Sequence, residues 1–148
     1  RPSEQEPADT VQQIVGGFLL AGPFVVTEEV WVLAQNMSSL QALLTVFIVF
    51  AVGYGALYKA DDRDPDRETE VGGIPLRFIS LIAVSYLSVL ILAVAFDAPS
   101  TFLGSVAPRS MTVFGVTVAI GMVDATLKAT SIGAIFSVIG AATADSLY

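Results

Sequence analysis

Most of the charged side chains in this chain are carboxylates. Fourteen Asp and Glu stand against seven Lys and Arg, and there is no His and no Cys. That excludes Ser-His-Asp and Cys-His nucleophilic catalysis, zinc sites built from the usual ligands, and disulfides. A net charge of −7 also argues against nucleic acid as a partner. The informative acids are those beside apolar sequence. Glu28 and Glu29 sit among Phe24, Val25, Val26, Val30 and Trp31; Asp97 closes the apolar run from Ile74 to Phe96; Asp145 lies near the end of another; Asp124 stands four residues before Lys128. A carboxylate at bilayer depth is expensive, so it should face a bundle interior, a watery cavity or a bound cation, or take up a proton as burial raises its pKa. Adjacent positions differ by ~100° around a helix, so Glu28 and Glu29 need not share a face. They could equally reach water at the membrane interface.

Other catalytic patterns are missing. The segment Lys59-Ala-Asp-Asp-Arg-Asp-Pro-Asp-Arg-Glu-Thr-Glu70 would suggest a diphosphate-binding Asp cluster, but Pro65 stands where the third Asp belongs. It reads instead as a solvated loop. No dinucleotide fingerprint, Walker loop or HExxH occurs, so an enzyme is not expected, and no cofactor is implied.

The elements that must position these acids are membrane helices. Hydrophobic residues make up 54% of the 148 and charged residues 14%, with a mean hydropathy of +0.73. Soluble domains carry roughly 25% charged residues. The charges are also clumped: Arg1, Glu4, Glu6 and Asp9 lie in an acidic tail over residues 1–10, and nine more fall between Lys59 and Glu70. A span needs about 20 apolar residues. The pattern therefore predicts an all-α, polytopic transmembrane bundle with about five spans, at about 11–34, 40–58, 74–96, 110–127 and 129–147, with an acidic cytoplasmic loop at 59–73. Gly22-Pro23 should kink or break the first span. Pro75 suits a first helical turn, and Arg77 can snorkel to the near interface. The last 38 residues are read as a hairpin turning near Lys128, because one helix over them would be about 57 Å long; a kinked or re-entrant segment is the alternative.

Five spans put alternate loops on one side. The set with the N-terminus, the 59–73 loop, Arg77 and Lys128 holds six of the seven basic residues, and the other set holds only Arg109. Lys and Arg decide orientation, which makes the N-terminus cytoplasmic and sends the C-terminus out. Glu28, Glu29, Asp97 and Asp145 then gather at one outer mouth as an ion-binding site or pathway, with Asp124 at the opposite end. Small residues give a second signal: Gly133, Ser137, Ala141 and Asp145 recur every four residues on the last span, and Thr117, Gly121 and Ala125 on the one before. Such faces let helices approach closely, within one chain or between copies.

The run Val15-Gly-Gly-Phe-Leu-Leu-Ala-Gly-Pro-Phe-Val-Val-Thr-Glu-Glu-Val-Trp31 resembles an uncharacterised family of small integral membrane proteins of halophilic archaea and cyanobacteria. The resemblance implies a polytopic helical fold, a cell-membrane location and a salt-loving host, which would account for the acidic loops. It implies no activity. The acids and the Gly-Pro break together point to a small multi-pass transport protein, an oligomeric cation channel or proton-coupled carrier, whose partners are lipid, a second copy, and inorganic cations or protons. A non-transporting scaffold or accessory subunit packed through the small-residue faces is the alternative.

Overall fold

In the computed structural model, residues 7–59, 70–71, 73–103, 110–113 and 116–147 are described. The chain forms α1 (Pro7–Val25), α2 (Glu28–Asn36), α3 (Ser39–Tyr54), a π turn (Gly55–Lys59), β1 (Glu70–Val71), β2 (Ile74–Pro75), α4 (Leu76–Ala95), α5 (Ala98–Leu103), β3 (Ser110–Val113), β4 (Val116–Ala119) and α6 (Ile120–Leu147). The strands make two small antiparallel hairpins. Long helices dominate because most of the sequence is apolar without interruption, and in lipid only a helix satisfies its own backbone.

Among the described residues, three helical segments are long and apolar enough to cross a membrane: Ser39–Tyr58, Leu76–Ala95 and Val123–Asp145. The bent pair Thr10–Val25 and Glu28–Asn36 makes up to four. The second and third spans fall where the sequence places them. Ser38 caps α3 through its hydroxyl, which accepts from Gln41 N at 3.2 Å, while Gln41 Oε1 accepts from Ser38 N at 2.8 Å. This reciprocal box fixes the helix start.

The first and last apolar stretches differ from the sequence reading. The first is not one helix over 11–34: α2 turns 80° from α1. The break falls at Val26–Thr27 rather than at Gly22-Pro23, one turn after the proline. That turn consumes the exposed carbonyls of the helix end. Gly22 O accepts from Val26 N, Phe24 O from Thr27 N, Pro23 O from the Thr27 hydroxyl at 2.7 Å, and Val25 O from the buried Trp31 indole at 2.9 Å. A break at membrane depth is tolerable only when such groups are paired.

The hairpin near Lys128 is absent, and α6 runs unbroken for 28 residues, about 42 Å. Residues 110–113 and 116–119, expected to begin a fourth span, pair as strands with Ser110 opposite Ala119. Asp124 and Lys128 do not interrupt the helix because they form an i,i+4 ion pair at 2.8 Å, and the Lys128 ammonium also donates to Met37 O at 2.8 Å.

This single change reverses the last segment. Gln13 near the start of α1, Arg77 at the start of α4 and Asp145 at the end of α6 meet at one end of the bundle. Trp31, Ala98, Leu103 and Ala125 cluster at the other. The start of α1 and the end of α6 therefore lie at the same end of the bundle.

Candidate functional site

Packing of α1, α4 and α6 builds the site. α1 and α6 touch backbone to backbone, since a Cβ on Gly16 would collide with the carbonyl of Gly140 and one on Gly140 with that of Gly16. Ser137 donates to Gly17 O at 3.0 Å across the same contact. The small-residue face is thus spent within the chain. Gly133 faces Val89 of α4, whose Cγ1 lies 2.9 Å from where a Cβ would sit, and Ser137 and Ala141 are wholly buried. Gly121, in the first turn of α6, is only half-buried. Of these, Gly133, Ser137 and Ala141 are not open to a second copy.

One helix turn beyond Gly140, Asp145 enters the interface. Its carboxylate receives Arg77 NH1 at 2.9 and 3.0 Å, and both side chains are essentially inaccessible, at 1% and 0% exposure. Gln13 Nε2 donates to Asp145 Oδ2 at 3.3 Å, and Ser80 donates to Gln13 Oε1 at 2.6 Å. Four side chains from three helices therefore form one connected network. Next in sequence to Gln13, Gln12 has its Oε1 buried without a hydrogen-bond partner among the described residues. Arg77 does not snorkel outward, as its position near the start of a span suggested. It turns inward because the carboxylate of α6 arrives at the same level, and the paired charges with their added hydrogen bonds offset the cost of leaving water. Chemically, such a pair can trade one partner for a proton, a cation or an anion.

The four acids expected at one mouth are divided. Asp145 is at the Arg77 end, whereas Glu28, Glu29 and Asp97 are at the other, and Asp124 is with them rather than opposite. Glu28 and Glu29 open α2 and are exposed, while Val30, Trp31 and Ala34 turn toward the core. Their position in the first turn suits the helix dipole. With Val32 and Leu33 they line an open concavity of about 370 Å³. Asp97 is exposed and holds the positive φ of 56° that turns α4 into α5; its carbonyl accepts from the Thr101 amide at 3.0 Å and hydroxyl at 2.7 Å. Among the described residues, no three acidic side chains converge as a metal site would require. Gly22 and Pro23 lie inside α1, where a Cβ on Gly22 would meet open space, so the hinge is Val26–Thr27.

Sequence reasoning missed Arg77, Gln13 and Ser80. Arg77 carried the usable signal: it is a lone basic residue one turn inside an apolar run, as Asp145 is a lone acid one turn inside another. Gln13 and Ser80 carried none.

No curated protein and no solved structure matches the chain. Residues 2–97 match the family model described as "Putative integral membrane protein (DUF2391)", a stretch that includes Gln13, Arg77 and Ser80. That match spans most of the chain, and its description agrees with the apolar helices observed; the chain belongs to this family of integral membrane proteins.

Proposed function

We propose that this is a small transport protein of the cell membrane, not an enzyme, working as a proton- or cation-coupled carrier whose acidic site is Asp145. The observation that carries the reading is the Arg77–Asp145 pair, wholly buried among three helices of a membrane protein. Ionisable residues inside membrane bundles are costly and concentrate on ion and proton pathways. A proton or cation arriving at Asp145 competes with Arg77 for the carboxylate. Its binding releases α4 from α6 at that end and lets the interface open. A carrier is favoured over a channel through one chain because the helices close tightly at Gly16 and Gly140 between the two ends.

The orientation follows from charge. In the sequence Arg1 precedes α1, and Lys59, Arg63, Arg67 and Arg77 fall between the end of α3 and the first turn of α4, segments that lead into the end that holds the pair, against Arg109 and Lys128 around the start of α6. By the positive-inside rule that end, with the N-terminus, is cytoplasmic. A second copy, if the carrier is oligomeric, would have to pack on a face other than the Gly133–Ser137–Ala141 stripe.

The scaffold reading keeps one specific support: the pair is fully hydrogen-bonded and the Gly16–Gly140 crossing is tight, as a rigid packing module requires. Reconstitution separates the two. Purified protein in liposomes should dissipate an imposed proton or monovalent-cation gradient, read by an entrapped fluorescent indicator. A flux equal to that of empty liposomes under every gradient would leave the scaffold standing and remove the carrier.

A further inference from the structure

We infer that the groove between α3 and α6, at the end of the bundle opposite Asp145, is a binding site for one phospholipid with a primary-amine headgroup. The groove is a concavity of about 300 Å³, within the usual range for small-ligand pockets. Its chemistry is graded along the membrane normal. Ser39 opens one candidate span and Asp124 is the second residue of another, so the polar end lies at the membrane boundary. Ala42, Leu43, Val46 and Leu127 form apolar walls, with the buried Ser131 one turn below Lys128, and Val46 is seven residues, ~10 Å, deeper than Ser39. A polar mouth above apolar walls is the orientation in which a lipid presents its head and chain.

The mouth carries both signs of charge. Lys128 is 12% exposed and uses two of its three ammonium hydrogens on Met37 O and Asp124 Oδ2, each at 2.8 Å. The third suits a phosphate oxygen. Asp124 is 58% exposed, so its carboxylate has room for a second cation beyond Lys128. A headgroup with a phosphate and an ammonium a few bonds apart matches this pair sign for sign. A purely anionic headgroup would satisfy Lys128 and be repelled by Asp124. A quaternary ammonium would lack the N–H that the carboxylate can accept.

Native mass spectrometry of the full chain released from detergent, with phosphatidylethanolamine or phosphatidylglycerol added, tests the site. The wild type should retain one phosphatidylethanolamine and bind phosphatidylglycerol about tenfold more weakly, the factor expected for losing one charge-assisted hydrogen bond. Lys128→Gln keeps a donor for Met37 O but loses the charge, and should reduce retention by a similar factor. Ala42→Phe fills the groove without removing a polar group and should displace the lipid from a protein whose helicity is unchanged. Equal retention of the two lipids, or wild-type retention by Ala42→Phe, would overturn the assignment.

Discussion

Cutting one side of the Arg77–Asp145 pair should damage the protein far more than removing both. At ~4 Å and an effective dielectric of 20, two unit charges attract by about 4 kcal/mol. Deleting one partner also strands the other, and measured losses for such buried breaks are about 3–5 kcal/mol. Both side chains here are at most 1% exposed, so little solvent is available to soften that loss. Arg77→Leu and Asp145→Leu should therefore each destabilise by about 3–5 kcal/mol, a factor of roughly 10² to 10⁴ in the unfolding equilibrium. The double variant should lie near wild type, because two apolar side chains leave no buried charge. Unfolding by titrating dodecyl sulfate into micelle-solubilised protein, followed by far-ultraviolet circular dichroism, provides all four corners of the cycle. Additive losses, with the double variant as weak as the sum of the singles, would refute the coupling and with it the placement of α6.

Other consequences follow from the same packing. Gly133→Leu pushes against Val89 and should cost about 1–3 kcal/mol of stability, measured by the same titration, without changing the detergent-solubilised mass; a shift of mass with stability intact would return the stripe to an interface between copies. Asp97→Gly removes the side chain from a left-handed turn and should leave stability equal or raise it by up to about 1 kcal/mol; a marked loss would mean that the carboxylate does more than shape the turn. Ser38→Ala removes the α3 cap and should lower stability by about 1 kcal/mol. The cysteine-free chain also permits single-cysteine topology mapping. Impermeant thiol reagents on intact cells should label Ser38→Cys and Ser100→Cys and spare both Asp64→Cys and Tyr148→Cys; labelling Tyr148→Cys together with Ser100→Cys would restore the opposite placement of the two termini.

The helical membrane character was legible because it rests on long apolar runs, which no packing detail can overturn. The spans at 40–58 and 74–96 were legible for the same reason, helped by Ser38, Gln41 and Pro75 at their starts. The ends of the chain were harder. Asp124 and Lys128 read as an interruption when each charge is weighed alone, yet four residues apart on a helix they neutralise each other and the helix continues. Because α6 passes straight through, the end of the chain changed sides, and Asp145 moved from Glu28, Glu29 and Asp97 to Arg77. The pair most able to do chemistry therefore depends on α6 running straight. The break in α1 was visible in Gly22-Pro23 but misplaced by one turn, since its position depends on where Thr27 and Trp31 can recover the lost carbonyls, a tertiary fact.

The most direct test of Asp145 as the working acid compares cation and proton flux in liposomes for two variants. Asp145→Asn keeps the size and the hydrogen bond to Gln13 while removing the exchangeable charge, and folded protein, verified by a monodisperse elution profile, should carry less than about a tenth of wild-type flux, the loss that ~1.4 kcal/mol would produce. The double variant Glu28→Gln/Glu29→Gln removes two exposed charges at the other end and should retain most of it. Flux that survives in Asp145→Asn and disappears in the double glutamine variant would contradict the account and return the pathway to the mouth of α2.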